Sequence, residues 1–256
     1  MCGVEISAHI DALERDGALL ADAAEAAGLQ AGIPGCPGWQ VRDLVRHQAY
    51  VHAWAARHVR ERSPVLIDDE LTESDILGRG PADPGLIAAY RDGHAALVAT
   101  LRDADPDLEC ATFMPAPSPL AFWARRQAHE TAIHRADAET ALGGLPDFPA
   151  AFAADGIDEL IMGFGRRRKY RPAAGQDGVL QVHATDTADC WYADIRDGRV
   201  QARREPGPAD CTVSGSAARV YLYLWNRADA TRAAVTVDGD PAVLARWRSG
   251  VRVRWE

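Results

Sequence analysis

A change of hydrophobic period near Pro146 constrains this chain more than any other feature. Before it, apolar residues recur every three or four positions in long runs broken by Pro and Gly; after it, they alternate in short runs. One half should therefore pack helix on helix, and the other should close a small sheet under helices. Gly143, Gly144 and Pro146 mark the break, because none of them favours continuing a helix. The expected organisation is an all-α domain over residues 1–145 and an α+β domain over 146–256.

Ile6, Ile10, Leu13, Gly17, Leu20 and Ala24 mark a first amphipathic helix ending near Gly28, and the loop GIPGCPGW follows. A second helix is expected from about Trp39 to Arg62, with Asp43 in its first turn, where the helix dipole favours a carboxylate. His47 lies on the line through Leu44, Val51, Trp54 and His58 and should point inward. Residues 63–82 read as a long acidic loop. A third helix spans about Pro84–Asp103, with Ile87, Tyr90, His94, Leu97 and Leu101 on one face. MPAPSPL breaks the chain before a fourth helix, Leu120–Leu142. Four helices of this length predict a four-helix bundle, a fold that builds metal sites from facing helices.

In the second half one helix, Phe148 to about Arg168, leads into strand-like runs around Leu180–Val182, Trp191–Ile195, Val200 and Cys211–Val213. Asp197-Gly198 is a hairpin signal. Ser214 or Ser216 can cap a helix carrying Tyr221, Leu222 and Trp225. Val235–Val237 is a further strand, and Asp240-Pro241 starts a final helix.

The fourth helix carries the chemistry. Glu130 and His134, four residues apart, stack one turn apart on one face, where a carboxylate and an imidazole can hold one side of a divalent cation. His129-Glu130 opens something like the zinc-protease motif H-E-x-x-H, but position 133 is Ile133 and that motif fails. By spacing alone an ordinary i,i+4 surface pair is the commoner outcome. A metal would need a third ligand from another helix, and His47 is the candidate. Among rival histidines, His94 on an apolar stripe reads as a core residue, His52 and His58 lie on the second helix, and His129 points about 100° away from Glu130. Trp123, seven residues before Glu130, either walls a pocket or simply packs in the core.

A formal net charge of -9 argues against a general nucleic-acid binder. The basic run Arg166–Lys169 reads as charge complementing a helix C-terminus. Five widely spaced cysteines do not form a disulfide framework and read as reduced thiols; Cys36, between loop prolines, reads as structural. Without an apolar leader or a run long enough to span a bilayer, a soluble cytoplasmic protein is expected.

Four segments in register carry a family resemblance: CPGWQVRDLVRH (Cys36–His47), WARRQAHETAIHRADAE (Trp123–Glu139), DGIDEL (Asp155–Leu160), and the C-terminal run from TVSGSAARVYLYLWNR to VTVDGDPAVLARW. The chain resembles the mycothiol-dependent maleylpyruvate isomerase family over nearly its whole length. The resemblance implies a DinB-like four-helix bundle followed by a sterol-carrier-like α+β domain. It implies metal ligands at His47, Glu130 and His134, with Zn²⁺ as the metal and mycothiol or another small thiol as cosubstrate. Arg227, in LWNR, would meet a substrate carboxylate, although a charge near a helix C-terminus explains it as well; Trp123 would border the thiol site. The implied enzyme is a zinc- and thiol-dependent cis-trans isomerase or S-transferase acting on a small electrophile such as maleylpyruvate, as a monomer or homodimer without a nucleic-acid or membrane partner. Two other classes stay open at this point. One is a non-catalytic metal sensor; the other is a small-molecule carrier working through the second domain.

Overall fold

The computed structural model describes residues 5–78, 80–170, 172 and 177–253. The chain divides after Pro146 into two compact units.

The first unit is helical: α1 (Ile6–Ala27), α2 (Val41–Glu61), α3 (Glu73–Leu77), α4 (Asp83–Arg102) and α5 (Pro119–Ala141). The α1 helix packs against α5 and α4, and α2 packs against α4 and α5. Each long helix begins where its sequence supplies a start. The Gln40 backbone N–H donates to the Asp43 carboxylate at 2.9 Å, closing a capping box at α2. Ser118 accepts from the Ala121 N–H at 3.1 Å, with Pro119 in the first helical position of α5. Gly28 ends α1 at φ 80°, which glycine adopts without strain. The segment expected to be one long loop contains α3, nucleated by a Thr72–Asp75 capping box that the acidic composition around it obscured.

Leu13, Leu20, Leu44, Val45, Leu97 and Trp123 are fully buried in this unit. The α5 helix is buried on nearly all sides, and not only by apolar residues. Ala124, Ala128, Ala132 and Ala136 are interleaved with buried Arg126, Gln127, His129, Thr131, His134 and Asp137. A helix buried all round normally carries an apolar surface everywhere. Here the four alanines share one face and the buried polar residues take the rest.

The second unit opens with α6 (Ala150–Asp158). The helix expected to run on to about Arg168 instead changes winding, through a π-helical turn (Glu159–Gly163) and a 3₁₀ turn (Phe164–Arg166). Gly163 and Gly165 weaken a regular helix here. Gly165 also admits the Trp247 ring, which would lie 2.6 Å from an added Cβ. The basic run begins at the last residue of the 3₁₀ turn rather than ending an α-helix, and Arg167 and Lys169 both approach the Tyr170 ring at 6.0 Å.

Five strands follow: β1 (Gly178–Ala184), β2 (Asp189–Arg196), β3 (Arg199–Arg203), β4 (Cys211–Gly215) and β5 (Thr236–Gly239). They lie in the order β3-β2-β1-β4-β5. The β1–β4 pair is parallel, in register Leu180↔Cys211, and the other pairs are antiparallel. Asp197 and Gly198, at φ 50° and 68°, make the tight β2–β3 turn with the twist hairpins favour. The helices α7 (Ala217–Leu224) and α9 (Pro241–Gly250) pack on β1 and β4, and a short α8 (Ala230–Ala233), absent from the sequence reading, lies between them in the chain. Ser216 does occupy the N-cap of α7, but its side chain makes no capping bond; Asp186 accepts from the Ala217 N–H at 2.8 Å instead. Asp240 caps α9 through the Ala242 N–H at 2.9 Å, with Pro241 in the first turn as expected. The fold is thus a helical region followed by a small α+β domain.

Candidate metal centre

The helical unit brings His47 from α2 together with Glu130 and His134 from α5. One ligand atom from each lies within 4.8 Å of the other two. Glu130 Oε1 stands 3.5 Å from His47 Nε2 and 3.2 Å from His134 Nε2. The two imidazole centroids are 5.0 Å apart. The three side chains are 4%, 17% and 10% exposed, in the order His47, Glu130, His134, so solvent reaches the trio mainly past the carboxylate. The sequence expectation that His47 points inward holds.

Further groups surround the trio. Arg126 donates to Glu130 Oε2 at 3.0 Å, leaving Oε1 as the oxygen nearest the imidazoles. His134 Nδ1 lies 2.9 Å from Oδ2 of the fully buried Asp137. The Trp39 ring sits 5.2 Å from the His47 ring, placed there by the hydrogen-bonded turns of the GIPGCPGW loop, in which Cys36 N–H donates to Ile33 O and Trp39 N–H to Cys36 O. The sequence reading gave no role to Arg126, Asp137 or Trp39. The signal for the first two was present: positions 126, 130, 134 and 137 recur at four, four and three and so share one helix face.

Burial alone would push the Glu130 carboxyl up, but hydrogen bonds from His134 and His47 and the nearby Arg126 charge hold it well below the usual carboxylate range. Burial would lower His134, yet its bonds to Asp137 and Glu130 raise it above the ordinary histidine value. Two imidazoles and an ionised carboxylate converging at these distances suit a divalent metal. In a tetrahedral site with ligand bonds of about 2.0–2.1 Å, neighbouring donor atoms stand about 3.3 Å apart, close to the 3.2 and 3.5 Å observed. Three protein donors leave room for an exchangeable fourth, the arrangement of catalytic rather than closed structural sites.

The rival histidines are placed elsewhere. His52 is buried against Gln48 at 2.8 Å and Thr131 at 2.9 Å. His58 bridges Trp54 O and the Ile67 N–H, both at 2.9 Å. His94 lies 3.2 Å from Glu14 O and over Gly17, a core position as expected. His129 has its ring 5.9 Å from His9 and is not among the converging atoms. Trp123 is fully buried, donates to Ala111 O at 3.2 Å, and meets the rings of Trp54, His58, Phe113 and Phe122. Arg227 lies in the second unit, just past α7, half-buried and donating to Trp225 O at 2.8 Å. Cys110, Cys190 and Cys211 are free thiols, and burial raises the pKa of all three. Among the described residues no helix is long and apolar enough to cross a membrane.

A crystal structure of a mutant of the mycothiol-dependent maleylpyruvate isomerase superposes with a TM-score of 0.65 at 15% identity, over 92% of this chain and 93% of that one. A second crystal structure of the mycothiol-dependent maleylpyruvate isomerase gives 0.61, also at 15% identity, over 88% and 90%. At that identity the likeness is one of fold. No curated protein sequence matches significantly. The family model of the mycothiol maleylpyruvate isomerase N-terminal domain matches residues 10–139, and that of the MDMPI C-terminal domain matches residues 151–246. Through both of its halves, the chain belongs to the mycothiol-dependent maleylpyruvate isomerase family.

Proposed function

We propose that this protein is a zinc- and mycothiol-dependent isomerase acting on a small cis-configured electrophile such as maleylpyruvate. The observation that carries the reading is the convergence of His47, Glu130 and His134 within 4.8 Å in a family whose name specifies the thiol and the reaction. A Zn²⁺ held by this trio would stabilise the anion of an incoming thiol, and only the thiolate is a good nucleophile. Isomerisation then needs addition of that sulfur to the conjugated double bond, rotation about the resulting single bond, and elimination of the same thiol.

The chain's own residues set the conditions. Glu130 is held ionised by its neighbours and so offers an anionic oxygen to a dication. Its partial exposure marks the side from which a thiol can arrive. Trp39 gives the His47 side an aromatic wall. Trp123, fully buried, would act by packing behind the site rather than by touching the thiol. Arg227 is proposed to pair with a substrate carboxylate; its guanidinium is permanently charged and suited to a planar acceptor.

The test is metal analysis coupled to an assay with added mycothiol and maleylpyruvate. One zinc per chain and thiol-dependent isomerisation are expected for the parent, and His134→Ala should lose stoichiometric metal and at least about a hundredfold in activity. Full metal content in folded His134→Ala would overturn the ligand assignment. Accumulation of a stable thiol adduct instead of the trans product would make the protein an S-transferase.

A further inference from the structure

We infer that Asp137 is a positioning residue for the metal site, fixing the ring of His134 so that its Nε2 lone pair, and not Nδ1, faces the other two ligands. The inference deepens the metal reading above and rests on it. On α5, His134 lies about 40° around the helix from Glu130, and Asp137 about 60° back from His134, so all three fall within one narrow stripe. Asp137 is wholly buried, and its Oδ2 accepts from His134 Nδ1 at 2.9 Å. With Nδ1–H held by Asp137, the neutral imidazole that binds a metal has its lone pair on Nε2. That nitrogen is the one standing 3.2 Å from Glu130 Oε1.

Two features separate this arrangement from a chance buried ion pair. First, a carboxylate taken fully out of water is costly unless it is used, and Asp137 spends an oxygen on the one histidine of α5 that belongs to the converging trio. Second, Arg126, from the other end of the stripe, takes Glu130 Oε2 at 3.0 Å and leaves Oε1 inward. Both α5 donors thus have their outward atoms occupied by side chains of the same helix, so the inward-facing donor atoms are selected before any ligand arrives. Such outer partners raise the basicity of the ligand and remove rotational freedom that binding would otherwise have to freeze.

The test compares zinc affinity, by competition with a chromophoric chelator, for the parent, Asp137→Ala and Asp137→Asn, alongside the melting temperature of each metal-free protein. Asp137→Ala should bind zinc about 10–100-fold more weakly, and Asp137→Asn, which keeps an oxygen to accept from Nδ1 but loses the charge, should fall between it and the parent. A purely structural Asp137 would lower the metal-free melting temperature and leave zinc affinity of the folded protein unchanged. If the parent binds one zinc and both variants match it within twofold, the positioning role is wrong while the metal site stands; if the parent takes up no stoichiometric zinc, the metal reading itself fails and takes this role with it. Should Asp137→Ala not fold, Asp137→Asn decides alone, with an expected loss of about tenfold and parent-like affinity as the overturning result.

Discussion

The two units bury different things. Among the described residues, every buried polar or charged side chain lies in the helical unit except Asp155, Asp158 and Glu159. Seven of the chain's eight histidines are buried there; the eighth, His183, is half-buried in β1. Both units bury aromatic rings in mutual contact, around Trp123 in the helical unit and among Phe148, Phe152, Phe164, Tyr221 and Trp225 in the α+β unit, so the difference lies in the polar groups. Aromatic burial stabilises a domain directly, whereas each buried polar group costs free energy unless it is paired. The helical core accepts that cost at many positions, on α1, α2, α4 and α5, and the α+β core at three.

The sharpest test of that contrast lies in the α+β unit, where one buried charge joins helix to sheet. Asp158, near the end of α6, accepts from Trp191 Nε1 at 3.0 Å and from both Nε and an NH2 of Arg204, at 2.6 and 2.8 Å. Asp158→Ala leaves the Trp191 N–H buried without its acceptor and the Arg204 fork without its carboxylate. The expected loss is about 3 kcal/mol in urea unfolding, since hydrogen bonds to charged groups are worth about 1.5–3 kcal/mol and a buried orphan adds its own desolvation. A loss below about 1 kcal/mol would mean that the aromatic core alone holds this unit.

A smaller effect is expected where the helical core is tightest. Gly17, in the middle of α1, lies under the His94 ring: an added Cβ would stand 2.2 Å from Cε1 and 2.4 Å from Nε2. Gly17→Ala therefore has to displace a buried imidazole bonded to Glu14 O. Overpacking costs about 1–3 kcal/mol and the helix-propensity gain returns about 1, for a net loss of up to about 2 kcal/mol. The double variant Gly17→Ala/His94→Ala checks the cause. If the clash is real, Gly17→Ala becomes neutral or stabilising once the ring is gone; an unchanged penalty would place the effect elsewhere.

These residues also show how far the sequence could be read. Period and breakers located the long helices, because Ile10, Leu13, Leu20 and their equivalents face one core and leave a 3.6-residue record. The E-x-x-x-H pair and the inward line of His47 were visible for the same reason: a helix fixes which side chains share a face. What stayed hidden depended on contacts between segments. Asp186 capping α7 from 31 positions away leaves no local trace. The glycines that change the winding after Asp158 are recognisable only once Trp247 is seen to fill the space beside Gly165. Asp137 was legible in spacing, but its meaning required knowing which nitrogen of His134 it holds.

The smallest predicted effect concerns acid. His58 is fixed in its neutral form from both sides: Nδ1–H donates to Trp54 O and Nε2 accepts from the Ile67 N–H, both at 2.9 Å. Burial lowers its pKa below the ordinary 6.5, and the bond to Trp54 O offsets only part of that shift. Between the folded and unfolded pKa values the unfolded chain therefore holds more protons. The stability contributed by neutral His58 is present above about pH 6.5, is lost as the pH falls below it, and stops changing beneath the folded pKa. Protonation at Nε2 also turns an acceptor into a donor facing the Ile67 N–H, which releases the chain after α2 from its anchor. His58→Gln keeps an oxygen for Ile67 and does not titrate. Urea unfolding of the metal-free proteins at pH 7 and pH 5 should show the parent losing about 1 kcal/mol more than this variant, since one pH unit of differential protonation is worth about 1.4 kcal/mol at most. Identical acid sensitivity in the two proteins would mean that groups other than His58 set the acid limb.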